Sequence, residues 1–139
     1  MSEKELQWNL FDLTGLQMKH GDSVEVEGRV HFRAIGFTIN LGIDVWNIGL
    51  HFNPRFTAIE TKIVLNNLVS DKWRAEQIEK NTLQRNEDFK VHIKFTKENF
   101  EIILCDETTM TFPNHSGLDI IEMLSIKGDL ELKSVKLNK

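Results

Sequence analysis

The stretch Phe89-Lys90-Val91-His92-Ile93-Lys94-Phe95 alternates strictly between apolar and polar side chains. Because successive side chains of a β-strand point to opposite faces, this alternation predicts a strand with one buried and one solvated face. The same two-residue period recurs in Ser23–Val30, and glycines or turn residues separate further short segments of this kind. Many short strands joined by turns are typical of an all-β sandwich.

Short apolar segments bounded by turn residues predict further strands before and after these two. Residues 70–81 have helical propensity of their own, but the strands around them favour a strand or an irregular hairpin arm. A loop is expected at residues 44–47, and Gly15 is expected to end the first strand. The remaining strands are predicted at residues 6–13, 36–42, 49–53, 62–67, 100–104, 109–112, 118–124 and 129–135.

Length and charge narrow the class of protein. At 139 residues the chain has the length of one domain, so we expect residues 1–139 to form a single domain. The formal net charge of -4, with acidic and basic residues interleaved, argues against nucleic acid as a partner. The sequence has no apolar run long enough to span a bilayer, so we expect no membrane insertion.

The single cysteine and the first residues of the sequence indicate the cellular compartment. Residues 1–5 are mostly charged or polar and lack the apolar core of a signal peptide. Cys105 is the only cysteine, which favours a reducing compartment, so we expect a cytoplasmic protein. Cys105 itself is expected to be a small buried hydrophobe or a site of oxidation. We find no metal-ligand spacing among His20, His31, His92 and His115.

A row of polar side chains is expected on the strand that carries His51, Asn53 and Arg55. Positions i, i+2 and i+4 of a strand share one face, while Phe52 faces the core. A hexose has polar rims and apolar C–H faces, so a site for it needs hydrogen-bonding groups around an aromatic platform. Trp73 can supply that platform.

Two further residues complete this candidate sugar site. Asn66 adds a carboxamide, and Glu76 is the expected carboxylate partner of Arg55. Each hydrogen bond of such a site contributes about 0.5–1.5 kcal/mol. A free disaccharide is therefore expected to bind weakly, with a Kd of about 0.1–1 mM.

These residues resemble a known family signature. His51-Phe52-Asn53-Pro54-Arg55, followed by Asn66 and by Trp73-x-x-Glu76, is similar to the carbohydrate-recognition motif of the galectins. Gly36-Phe37-x-Ile39-Asn40-Leu41-Gly42 resembles the strand that precedes this motif in the family. Phe112-Pro113-Asn114 and Ile126-Lys127-Gly128-Asp129-Leu130 resemble later strands, so the resemblance covers roughly residues 10–137.

The resemblance implies a jelly-roll sandwich of two antiparallel sheets that binds β-galactosides without a metal or other cofactor. It also implies a homodimer that crosslinks galactose-containing glycans or glycoproteins, and export by a non-classical route. The implied roles are contacts to the axial 4-hydroxyl of galactose from His51, Asn53 and Arg55, contacts to the 6-hydroxyl from Asn66 and Glu76, and stacking of the sugar ring on Trp73.

Three positions depart from the family pattern. Ile78 stands where a second arginine is usual, and Ile59 and Thr61 stand where histidine and aspartate are often found. These changes predict weaker contact with the second sugar of a disaccharide, or specificity shifted to mannose or another hexose. Arg74 and Asn40 are accessory candidates, and Arg74 would either replace the missing charge or hinder ligand entry.

Two other classes of function stay open. A structural or protein-binding relative that has lost sugar affinity is favoured by Ile59 and Ile78. A glycosidase would need two carboxylates about 5–10 Å apart on either side of the sugar, and only Glu76 is suitably placed. We therefore predict a protein that is not an enzyme. For the dimer, the terminal strands at residues 6–13 and 130–137 are expected at sheet edges, with Leu132, Val135 and Leu137 at the interface.

Overall fold

The computed structural model describes residues 10–139, which form twelve β-strands. In chain order these are β1 Phe11–Lys19, β2 Ser23–Val30, β3 Phe37–Asp44, β4 Asn47–Phe56, β5 Thr61–Val69, β6 Lys72–Trp73, β7 Gln77–Lys80, β8 Asp88–Phe95, β9 Asn99–Leu104, β10 Thr109–Pro113, β11 Ile120–Gly128 and β12 Leu130–Asn138. Across residues 10–139 there is no helix of the length and apolarity needed to cross a membrane.

The strands form two antiparallel sheets. The first sheet has the order β1-β11-β3-β4-β5-β6, and β7 also pairs with β5. The second has the order β10-β9-β8-β2-β12. The predicted all-β jelly-roll sandwich of two antiparallel sheets is confirmed.

The core lies between the two sheets, as the alternating pattern predicts. The apolar positions of residues 89–95 are all buried, and the side chains between them are exposed or half-buried. Phe37 of β3 and Phe89 of β8 stack across the sandwich with ring centroids 4.9 Å apart. The largest buried aromatic side chains are Phe37, Phe52, Phe89, Phe95, Phe100 and Phe112.

Several predicted strand boundaries are wrong. β1 does not end at Gly15 but continues to Lys19, because Gly15 takes a φ of +69° inside an irregularity that shifts the register between Thr14 and Met18. A glycine in a strand can absorb such a bulge instead of ending the strand. Residues 6–9 of the predicted first strand lie outside the described residues.

Towards the end of the chain the predicted strands are too short. The strand expected at residues 118–124 is β11, which starts and ends later, and the one expected at 129–135 is β12. Gly128 joins them with a φ of +113°, and a Cβ at this position would lie 2.6 Å from the Cα of Phe37. Glycine is therefore required here both by conformation and by space.

The ambiguous segment at residues 70–81 contains no helix. It forms the short strands β6 and β7, which both pair with β5, so the predicted strand or irregular hairpin arm is confirmed. The loop expected at residues 44–47 shrinks to the turn between β3 and β4, where Trp46 is 56% exposed.

Both terminal strands of the described chain lie at sheet edges, as predicted. β1 is an edge of the first sheet and β12 an edge of the second. Leu132 and Val135 are partly buried against the core, whereas Leu137 is 38% exposed. Cys105 is exposed in the turn after β9, so the expectation of a small buried hydrophobe is wrong, and a site of oxidation stays a prediction.

Candidate carbohydrate-binding site

The candidate site lies on β4 and its neighbours in the first sheet. His51, Asn53 and Arg55 are half-buried on one face of β4, and Phe52 is fully buried on the other. The register places His51 between Asn40 of β3 and Asn66 of β5. The predicted polar row is therefore present.

His51 is held in one tautomer by its neighbours. Its Nδ1 lies 2.6 Å from the Oδ1 of Asn40, while the Nδ2 of Asn40 donates to the Oγ of Ser125 at 3.3 Å. Because Asn40 presents an oxygen to the imidazole, Nδ1 carries the proton and donates it. The Nε2 of His51 is then a lone-pair acceptor. Asn40, an accessory candidate, thus orients His51 from behind the site.

Burial also keeps His51 neutral. Desolvation of the ring, and secondarily the positive charge of Arg55, lower the pKa of His51 from 6.5 to about 4. A neutral imidazole can accept a hydrogen bond from a sugar hydroxyl, whereas an imidazolium cannot.

This pKa shift makes stability depend on pH. Between pH 6.5 and about 4 the unfolded chain binds the proton of His51 and the folded chain does not. The stability that neutral His51 provides is therefore complete above pH 6.5 and is lost as the pH falls towards 4. We expect a loss of about 1–3 kcal/mol from this group, discounted for its partial exposure.

Urea unfolding near neutral pH and near pH 4 gives the free energy of unfolding that each protein loses on acidification. The wild type should lose more than His51→Gln, and the difference measures the contribution of His51. His31→Gln, at an exposed loop position, is the matched control and should follow the wild type. Parallel losses in the wild type and His51→Gln would contradict the prediction.

Arg55 is held by two acceptors. Its Nε donates to the Oδ1 of Asn53 at 2.9 Å, and its Nη1 donates to the Oε2 of Glu60 at 3.2 Å. Asn53 is itself fixed, since its Nδ2 donates to the carbonyl oxygen of Phe37 at 2.8 Å. The Nη2 of Arg55 has no hydrogen-bond partner within residues 10–139.

The expected pairing of Arg55 with Glu76 is wrong. The carboxylate on Arg55 comes from Glu60, which the sequence analysis missed although it lies between the two departing positions Ile59 and Thr61. The short β4–β5 connection brings Glu60 back over Arg55, a contact that strand periodicity cannot predict. Among the described residues, the side chain of Glu76 makes no ion pair or hydrogen bond. It lines the pocket that Arg55 also lines.

Trp73 forms the aromatic side of the site. It lies on β6 opposite Leu68 of β5, its side chain is 52% exposed, and its ring centroid is 4.5 Å from that of His51. Asn66 is only 4% exposed, and its Nδ2 donates to the carbonyl oxygen of Arg74 at 3.1 Å. Asn66 thereby ties the arm that carries Trp73 to the sheet.

These side chains surround one pocket of about 340 Å³. This volume is near the lower end for small-molecule sites, and suits a ligand of sugar size. Asn40 and Asn53 do not line the pocket but hydrogen-bond to His51 and Arg55, which do. Val64 also lines the pocket, although no motif in the sequence pointed to it. The lining consists of His51, Arg55, Val64, Asn66, Trp73, Arg74 and Glu76.

The fold and the pocket together define a class of protein. A two-sheet sandwich that carries a polar row beside a half-exposed tryptophan is a lectin-type β-sandwich. Residues 10–139 contain no cluster of three or more histidine, cysteine or carboxylate side chains that could hold a metal ion.

Comparisons with known proteins identify the family. The family described as galactoside-binding lectin matches residues 12–137. Galectin-2 of Mus musculus is 36% identical over 138 residues, covering 99% of this chain and 99% of that protein. The crystal structure of chicken galectin 2 has a TM-score of 0.90 at 34% identity, covering 94% of this chain and 99% of that one.

A second solved structure, described as CG-16, a homodimeric agglutinin from chicken liver, has a TM-score of 0.88 at 27% identity. The match covers 92% of this chain and 98% of the agglutinin chain. The chain belongs to the galactoside-binding lectin family, the galectins. The family resemblance found in the sequence is confirmed.

Proposed function

We propose that this protein is a lectin that binds β-galactoside glycans in the pocket between β4 and β6. The observation that carries the proposal is the joint lining of one pocket by a neutral His51, the free Nη2 of Arg55 and the exposed ring of Trp73. Together they supply an acceptor, a charged donor and an apolar platform, which a hexose ring requires.

Each candidate residue has a role in this proposal. His51 accepts and Arg55 donates a hydrogen bond at the axial 4-hydroxyl, while Trp73 covers the C–H face of galactose. Asn53 acts mainly by orienting Arg55, because both ends of its carboxamide are engaged by the protein. Glu76 and Asn66 are assigned to the 6-hydroxyl, because both line the pocket. The Oδ1 of Asn66 accepts from the backbone N–H of Asn67 and its Nδ2 donates to Arg74, so Asn66 would contact the ligand through the second hydrogen of Nδ2. Arg74 borders the entrance, and metal ions and cofactors take no part.

Retention on lactosyl-agarose and elution with free lactose would test the proposal directly. A glycan array run in parallel distinguishes galactose from mannose. We expect specific elution and binding to β-galactosides, with a Kd for lactose of about 0.1–1 mM. A protein that passes through the column and binds no β-galactoside on the array would refute the proposed function.

Replacing Ile78 with arginine is expected to tighten lactose binding about 5- to 10-fold, because a charge-assisted hydrogen bond would form beside Glu76 and the second sugar. Ile78 is 50% exposed and pairs with Val64, which lines the pocket. Calorimetric titration with lactose measures the change. Ile103→Arg adds the same charge at a 43% exposed strand position in the second sheet and serves as control. Equal affinities in Ile78→Arg and the wild type would contradict this account of the outer site.

A protein-binding role without sugar affinity is the second candidate. It is favoured by the exposure of Ile59, which is 94% exposed and stands beside Glu60 at the end of the site. The glycan array decides between the two candidates. We also propose that the protein is not an enzyme, because Glu60 is paired with Arg55 and, among residues 10–139, Glu76 is the only carboxylate that lines the pocket. Turnover of a chromogenic galactoside would contradict this.

We further propose that two copies form a homodimer that crosslinks glycans, because the related chicken agglutinin is homodimeric and both terminal strands here are sheet edges. We expect sedimentation at micromolar concentration to show a dimer, and Leu137→Lys to shift it towards the monomer. Ile103→Arg, on an inner strand, should leave the dimer intact. Sedimentation of the wild type as a monomer would contradict both the proposed dimer and the proposed crosslinking.

Residues 1–139 are proposed to act as one carbohydrate-recognition domain. A cytoplasmic site of synthesis is proposed from the exposed thiol of Cys105, which persists best where thiols stay reduced. Non-classical export is proposed from the family resemblance alone. Cell fractionation and assay of the medium would test this location.

A further inference from the structure

Beyond the galactose pocket, the same sheet face carries a second set of side chains. Directly opposite residues of antiparallel strands point to one side of the sheet. The register pairs Arg55 with Lys62 on β5, and Lys62 with Lys80 on β7. Three cations therefore form one line that starts at the pocket wall and runs outward to the edge strand β7.

A shorter apolar line runs beside this cationic line. Asn53 is opposite Val64, and Val64 is opposite Ile78. Val64 lines the pocket, so the two lines begin at the pocket and extend its floor. Val64 is only 1% exposed, so the exposed part of this apolar floor is Ile78, which is 50% exposed and has the line of cations on one side.

The cations outnumber the carboxylates next to them. Glu60 is shared between Arg55, at 3.2 Å, and Lys62, at 4.0 Å. Lys80 is exposed and has no carboxylate partner within residues 10–139. Adjacent like charges destabilise a sheet, and the single carboxylate of Glu60, shared between Arg55 and Lys62, offsets only part of this repulsion. It stands out further because the chain as a whole has a formal net charge of -4.

We propose that this outer subsite, formed by Val64, Ile78, Lys62 and Lys80, accepts an anionic group on the sugar that follows galactose. The ligand is a β-galactoside whose second sugar carries a sulfate or a carboxylate. The apolar floor holds the sugar ring, and the two lysines supply charge-assisted hydrogen bonds to the anionic oxygens. The inference rests on the proposed galactoside-binding function and names the substrate class of the same site.

The experiment is calorimetric titration with three kinds of disaccharide. They are N-acetyllactosamine, its esters with sulfate on the N-acetylglucosamine, and galactosyl-β1,4-glucuronate. The sulfated and carboxylated arms identify which anion is preferred. Measurements at about 50 and about 300 mM salt test the electrostatic origin, since screening at the higher salt weakens exposed charge pairs. The variants are Lys62→Ala/Lys80→Ala and the control Lys94→Ala, an exposed strand lysine in the second sheet.

We expect at least one anionic disaccharide to bind the wild type about 3- to 10-fold more tightly than the neutral one at low salt. This advantage should disappear in Lys62→Ala/Lys80→Ala and at high salt, and persist in Lys94→Ala. The affinity for N-acetyllactosamine should stay within about twofold in all variants.

Binding of N-acetyllactosamine without any preference for the anionic forms would overturn the subsite and leave the proposed lectin function standing. A preference that survives loss of both lysines would overturn the assignment to these residues. Failure of every galactoside to bind, neutral or charged, would refute the proposed function and with it the subsite.

Discussion

Replacing Arg55 with alanine is expected to weaken lactose binding at least about 30-fold, which takes a weak ligand beyond measurement. Arg55 is the charged donor of the proposed site, and its Nε and Nη1 also hold Asn53 and Glu60 in place. Removing the guanidinium therefore deletes one ligand contact and releases two neighbouring side chains. Calorimetric titration with lactose should therefore show binding to the wild type and no detectable binding to Arg55→Ala.

Two further variants separate charge from geometry. Arg55→Lys keeps the charge but loses the planar fork whose separate nitrogens reach Asn53, Glu60 and the ligand, so it should lose most of the affinity too. Arg33→Ala removes an exposed loop arginine and should bind like the wild type. Urea unfolding verifies that each variant is folded. Affinity of a folded Arg55→Ala within about threefold of the wild type would sink the proposed role of Arg55.

Replacing Phe37 with alanine is expected to cost about 3–5 kcal/mol of the free energy of unfolding. Phe37 is 1% exposed, and its ring stacks on Phe89 of the opposite sheet and on Phe56 of its own sheet. The change would leave a cavity where the two sheets meet. Because a domain is stable by only about 5–15 kcal/mol, this loss is a large part of the total.

Chemical unfolding followed by circular dichroism measures this effect. Phe32→Ala is the matched control, because Phe32 is 67% exposed and its truncation should change stability by about 0.5 kcal/mol or less. A loss below about 1 kcal/mol in Phe37→Ala would show that the core closes around the cavity and would contradict the prediction.

Much of the site follows from local sequence. The two-residue period of a strand places His51, Asn53 and Arg55 on one face whatever lies around them, and the structure has them there. The assignment of Phe52 to the core has the same basis. The segment that carries Trp73 has helical propensity, but the many strands around it favour a strand or an irregular arm. The structure has a short strand paired with β5 there.

Contacts between distant residues could not be obtained in this way. The sequence pattern favours Glu76 as the partner of Arg55, whereas the tight β4–β5 connection brings Glu60 there. The strand expected to stop at Gly15 continues, because pairing with β11 holds β1 in the sheet on both sides of its bulge. In both cases pairing with other strands outweighs a local signal.

By itself, the sequence determined a β-sandwich with a polar row on one strand face, because side-chain alternation is a property of each strand alone. The galectin family followed from the resemblance of its motif residues, which also needs no tertiary structure. Only the tertiary structure decided that His51 is neutral with Nε2 as an acceptor, that Glu60 holds Arg55, and that Lys62 and Lys80 lie in line with Arg55 across the sheet. These features depend on burial and on the register between strands, which arise when separate segments of the chain pack together.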